Sequence, residues 1–291
     1  MDNSNNNYEL ENKLRSYHKD LLESQAELNA KTNGELYIAN KYRTTKNKFI
    51  YYPMCLKMEA AELIDSLPWK HWKEDNKSYD FDNIKIELID LLHFALSISI
   101  DQRALFIQDI DKKQLSVFDV VKDMFENDID KKDSYFNEAM YPILIYNVNE
   151  ELKNSYNNIT KNNMELHIGF MHYVDILMSF RLERNVNCTR MLYETIFIMY
   201  GLVKMHEEPL IKQLTLDLYI DEIVNLYYGK LALNKVRQDN GYNEGTYKKM
   251  WKLDGVEVED NVFVTRFISK NKFIKDIDMT DIIAKEYRKQ I

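Results

Sequence analysis

Apolar residues return along most of this chain with a helical period. Leu10, Leu14, Leu21, Leu22 and Leu28 fall near one side of a predicted helix over residues 8–31, and "KTNGE" breaks it. A polar and aromatic loop is expected over 37–52. Over 54–67 Ala60, Leu63, Ile64 and Leu67 share one stripe, and Pro68 marks the stop. "NIKIELIDLLHFALSISI" at 83–100 is apolar on every side, which predicts a central helix. Helical spacing continues through "SVFDVVKDMF", "YPILIYNV", "MELHIGFMHYVDILMSFRL" and "MLYETIFIMYGLVKM", and a further long helix is expected over 214–236. The tail after about 265 reads as amphipathic and packed on the outside.

Composition agrees with this pattern. The 291 residues hold 7 Gly and 4 Pro, too few for the tight turns that sheets need. The expected fold is therefore all-α, a helical bundle in a single domain over 1–291. Neither an internal repeat nor a low-complexity linker interrupts it. The net charge of -8 disfavours general nucleic-acid binding. No membrane span is expected, since no run of eighteen apolar residues occurs. The N-terminal residues do not form a signal peptide, so a soluble, cytoplasmic protein is expected. Cys55 and Cys188 make no disulfide framework and lack a local acid–base context. His167 and His172 are five apart, which is not zinc-helix spacing.

The chemistry-bearing residues are carboxylates. Glu59 and Glu62 lie i,i+3 on one predicted helix, and Glu87 and Asp90 lie i,i+3 on the next, so each pair projects from one face. A lone E-x-x-E is usually a solvated edge. The second pair, however, sits inside the most apolar helix of the chain, where acids are costly unless neutralised. Four carboxylates converging between two helices suit a hard divalent cation, Mg²⁺ or Mn²⁺, rather than zinc. Lys230, Asn234 and Arg237 follow at i, i+4, i+7, and a glycine-bearing segment then presents Tyr242 and Lys248. Basic helix faces are common, but beside an acidic quartet this one suggests a Mg–nucleotide site.

"EAAELIDSLPWKHWK", "IKIELIDLLHFALS" and "LNKVRQDNGYNEGTYKKMW" resemble the motifs of the dimeric, all-α dUTPases, relatives of the MazG-like pyrophosphohydrolases. The resemblance covers about 14–100 and 215–262; taken with the helices around it, the motif-bearing core runs over about 8–100 and 205–265. A less well matched helical segment fills 101–204. It implies hydrolysis of dUTP, and of dUDP, to dUMP by a Mg²⁺-dependent homodimer. Glu59, Glu62, Glu87 and Asp90 match the family's metal ligands, and Glu59 also its water-activating base. Gln25 and Asn29 match a Gln-x-x-x-Asn pair that reads the uracil edge, and each amide offers both a donor and an acceptor. His93, Phe94 and Trp69 match or adjoin the nucleoside positions. Trp72, Lys73, Lys230, Asn234, Arg237, Tyr242 and Lys248 match the phosphate-binding set. Two positions depart from the pattern: Leu231 stands where the family has Asn, and Leu92 where an aromatic is common. A pyrophosphohydrolase with another base preference, such as dCTP, and a non-enzymatic helical interaction protein are the alternatives.

Overall fold

The computed structural model describes residues 2–70, 72, 79–107, 109–126, 140–162, 165–182, 186–208, 211, 213–242, 244–271 and 279–291. The fold is all-α. Among these residues the helices are α1 (Asp2–Asn33), α2 (Tyr52–Asp65), α3 (Phe81–Ala104), α4 (Val117–Glu126), α5 (Met140–Asn162), α6 (Leu166–Ser179), α7 (Val186–Glu207), α8 (Ile220–Asp239), α9 (Asp260–Asn271) and α10 (Met279–Arg288). One antiparallel hairpin, β1 (Met250–Leu253) and β2 (Val256–Glu259), lies between α8 and α9.

Local signals explain the boundaries. α1 ends at Gly34, whose φ of 94° is the left-handed value a glycine adopts without strain. α3 starts behind Asp80, whose carboxylate accepts a hydrogen bond from the Asn83 amide. At α4, the Ser116 hydroxyl accepts from the Asp119 amide while the Asp119 carboxylate accepts from the Ser116 amide, a reciprocal capping box. Asp254 and Gly255 both take positive φ, 52° and 86°, and form the two-residue turn that right-twisted hairpins favour.

The chain forms two compact units, residues 1–60 with 91–217 and residues 61–90 with 218–291. The division falls inside α2 and α3, each a continuous helix common to both units. In the first unit α1 packs on α4 and α5, and α7 packs on α5 and α6. In the second, α8 packs on α9 and α10, and α9 closes on the hairpin. Trp251 is fully buried there, its ring 5.0 Å from Phe263 and 5.5 Å from Tyr287 between centroids. From Ile84 to Ile100 only Asp90 and Phe94 are not buried, as the all-round apolar pattern of α3 requires.

Candidate active site

The acids come first. Glu59 of α2 with Glu87 and Asp90 of α3 offer carboxylate oxygens that all lie within 4.8 Å of one another. Glu87 is buried and the other two are half-buried. Glu62, one turn beyond Glu59, is exposed and stands outside this trio, yet its charge is felt at Glu87. Burial first, and the neighbouring Asp90 second, push the Glu87 carboxyl up to about 7, with Lys230 pulling the other way. Three oxygen ligands this close, one of them reluctant to ionise alone, fit a hard divalent cation by donor type and spacing.

Basic side chains frame the acids in the second unit. Lys230, only 3% exposed, donates from Nζ to Asp90 Oδ2 at 2.7 Å and to Asn261 Oδ1 at 2.9 Å. The same Asn261 oxygen accepts from Arg237 Nη2 at 3.0 Å, so one carboxamide joins the two cations. Arg237 also grips the fully buried Asp260 with two bonds, Nε to Oδ2 at 2.8 Å and Nη2 to Oδ1 at 2.7 Å. Tyr247 adds its hydroxyl to Asp260 Oδ2 at 2.9 Å. Arg237 Nη1 makes no hydrogen bond among the described residues. Tyr242 lies over the guanidinium at 5.4 Å from the ring centroid.

Gly229 makes this arrangement possible. A Cβ there would meet Ile268 Cδ1 at 1.8 Å and Val264 Cγ1 at 3.1 Å. The bare backbone lets α9 close on α8, and α9 carries Asp260 and Asn261 at its start.

In the first unit the base-reading candidates form a buried network. Gln25 Oε1 lies 2.8 Å from His93 Nδ1. A carbonyl oxygen only accepts, so Nδ1 carries the proton. Gln25 Nε2 donates to Asn29 Oδ1 and to Ser97 Oγ, both at 3.0 Å, and Asn29 Nδ2 donates to Ser97 Oγ at 3.2 Å. Phe94 is half-buried against Tyr52, with centroids 6.2 Å apart.

The remaining expected residues are less connected. Trp69 and Trp72 meet edge to face at 5.3 Å, and both are exposed. Asn234 is half-buried on α8. Lys248 Nζ donates to the Gln290 carbonyl at 2.7 Å and does not join the Lys230–Arg237 group. Lys73 lies outside the described residues. Sequence reasoning missed Ser97, Tyr247, Asp260 and Asn261. Ser97 had a signal, one turn after His93 on the most apolar helix of the chain, whereas the other three gain their place only when the hairpin returns the chain to α8.

No helix among the described residues is long and apolar enough to cross a membrane. A search of curated proteins finds no match. A family model described as dUTPase matches residues 18–242, which include Gln25, Asn29, all four acids, Lys230 and Arg237, and stop short of Lys248. By that match and by its fold, the chain belongs to the all-α dUTPases.

Proposed function

We propose that the protein hydrolyses dUTP, and dUDP, to dUMP in a Mg²⁺-dependent reaction, releasing pyrophosphate or phosphate. The observation that carries this reading is the acidic trio of Glu59, Glu87 and Asp90, with Lys230 already bonded to Asp90, in a chain of this family. Glu59, Glu87 and Asp90 would hold Mg²⁺, with Glu62 beside them, and Mn²⁺ as a substitute. Bound Mg²⁺ supplies charge neutralisation for the phosphates and acidifies a water.

The chain's own groups do the rest. Glu59 accepts the proton of the attacking water. Lys230 and Arg237 meet the negative charge that develops on the leaving phosphate, joined by Trp72, Lys73, Asn234, Tyr242 and Lys248 as phosphate contacts. Gln25 and Asn29 trade their mutual hydrogen bond for the uracil edge. Cytosine replaces a carbonyl acceptor with an amino donor and would leave these amides unpaired. His93 holds the Gln25 carbonyl, and Phe94 and Trp69 provide the apolar contact for the nucleoside. The acidic net charge disfavours nucleic acid as a partner, and a homodimer is the expected assembly.

The test is phosphate and pyrophosphate release from dUTP, dUDP, dCTP and dTTP, each with and without Mg²⁺. Wild type is compared with Glu62→Ala and Glu87→Gln, and sedimentation reports the oligomer. Mg²⁺-dependent loss of dUTP that Glu87→Gln lacks supports the reading. Turnover of dCTP in its place overturns the base assignment, and no turnover of any nucleotide overturns the enzyme.

A further inference from the structure

Helices α5, α6 and α7 each turn one face toward a common cleft of about 380 Å³, well away in sequence from every residue used above. That volume lies in the range of small-ligand sites. The cleft contains three carboxylates, Glu150, Glu151 and Glu194, and no lysine or arginine among its lining residues.

These carboxylates are unequally satisfied. Glu150 meets Lys153 at 3.2 Å. Glu194 Oε1 accepts from Asn147 Nδ2 at 2.9 Å and lies 3.2 Å from Arg190 Nε. Its Oε2 has no hydrogen-bond partner among the described residues. Glu151 has neutral partners alone, the Tyr173 hydroxyl at 2.8 Å and the Ser155 hydroxyl at 3.5 Å. Burial pushes the Glu194 carboxyl up, while Asn147 and Arg190 pull it down.

A second observation is independent of the acids. Thr195 lines the cleft, is 2% exposed, and its hydroxyl makes no hydrogen bond among the described residues. A hydroxyl in the cleft wall with no partner of its own offers a hydrogen-bonding position to a ligand's polar group. Met191, Ile176 and Ile198 complete the wall with apolar surface for a short aliphatic body.

We propose that this cleft binds a small aliphatic amine or guanidine, its cationic group held between Glu151, Glu194 and the Thr195 hydroxyl. The methylene chain lies against Ile198 and Met191. A metal ion would not use the apolar wall, and an anion would meet three carboxylates. The site is separate from nucleotide hydrolysis, so its failure and the failure of that function show in different assays.

The experiment titrates the full-length protein with putrescine, agmatine and the neutral isostere 1,4-butanediol. Excess Mg²⁺ keeps the amines from the acidic trio on α2 and α3. Binding is followed by calorimetry and by the methyl resonance of ¹³C-labelled Met191. Both amines are expected to shift that methyl and release heat, and butanediol to do neither. Glu151→Gln weakens binding by at least about tenfold and Thr195→Val several-fold, as loss of a charge-assisted bond predicts, while Glu87→Gln leaves it unchanged. The absence of any Met191 shift with either amine overturns the proposal. Equal binding of the diol, or full affinity in Glu151→Gln, does the same. The wild-type comparison of amine with diol decides the matter even where a variant fails to fold.

Discussion

Lys230 reaches Asp90 across 140 positions of sequence, Nζ to Oδ2 at 2.7 Å, and stands at the edge of the acidic trio. The lysine side chain is 4% exposed and the aspartate 15%. Breaking such a pair strands a buried charge. Lys230→Gln is expected to lower stability by about 3 kcal/mol in EDTA. Mg²⁺ should recover more of that loss in the variant than it adds to wild type, because the cation takes over the neutralisation. Urea midpoints with EDTA and with Mg²⁺ measure both terms. An equal gain from Mg²⁺ in the two proteins would separate Lys230 from the metal site.

Gly229 predicts a packing cost. Its missing Cβ leaves room for Ile268 and Val264, so Gly229→Ala displaces the Ile268 side chain and crowds Val264 despite the higher helix propensity of alanine. Overpacking of this kind costs about 1–3 kcal/mol. The displacement is passed on to Asp260 and Asn261 and so to Lys230 and Arg237. Urea denaturation of the variant should show the loss, and Gly229→Ala with Ile268→Val should regain part of it. A neutral or stabilising single substitution would contradict the close approach.

Two buried groups set opposite pH dependences in the first unit. His18 lies against Tyr141 and Tyr193, and burial pulls its pKa down to about 3 from 6.5. The unfolded chain then binds the extra proton, so this contribution is present above pH 6.5 and is lost as pH falls toward 3. Asp101, bonded by the Tyr37 hydroxyl at 2.8 Å, is pushed by burial up to about 8 from 3.8. Here the folded chain binds the extra proton, so the contribution is present below about pH 4 and is lost as pH rises through 8. Between pH 5 and 6.5 the two nearly cancel. Relative to His18→Gln, wild type should lose about 2 kcal/mol from pH 6.5 to 5. Relative to Asp101→Asn it should lose about 2 kcal/mol from pH 6.5 to 8. Urea titrations at the three pH values test each slope.

Ser97 predicts a change in selectivity. Its hydroxyl accepts from Gln25 Nε2 at 3.0 Å and from Asn29 Nδ2 at 3.2 Å, which fixes how the two amides face. Ser97→Ala removes one anchor from each amide and leaves only the His93–Gln25 and Gln25–Asn29 bonds to orient them. The ratio of kcat/KM for dUTP over dCTP is expected to fall by about tenfold, the worth of one buried hydrogen bond. An unchanged ratio with a lower thermal midpoint would make Ser97 a structural residue alone.

Where the hydrophobic period was long, the elements were legible. The stop at Gly34, the apolar run of α3 and the spacing of Lys230 with Arg237 all reappear in the folded chain. The expected helix over 214–236 becomes a single 3-10 turn at Leu216–Leu218 followed by α8. The hairpin was missed although Asp254-Gly255 is a strong turn signal, because its strands are only four residues each. That miss hid Asp260 and Asn261, whose role depends on a chain reversal rather than on spacing. The Gln25–Ser97 bond was equally out of reach, since it links positions 72 apart through tertiary packing.

Asp260 carries the last prediction. It is fully buried, and Arg237 holds both of its oxygens, with Tyr247 on one and the Asn261 amide on the other. This grip directs the guanidinium through Nε and Nη2. Asp260→Asn keeps the volume and removes the charge, so Arg237 becomes an uncompensated buried cation, at a cost of about 3 kcal/mol. The guanidinium also loses its fixed direction. KM for dUTP should rise about tenfold or more, with a smaller fall in kcat if Arg237 binds ground state and transition state alike. Arg237→Lys should show the same KM defect, because a lysine cannot make the two-pronged bond. Steady-state kinetics with melting curves on both variants check this. A melting defect with unchanged kinetics would leave the pair as a brace for the hairpin and take Arg237 out of substrate binding.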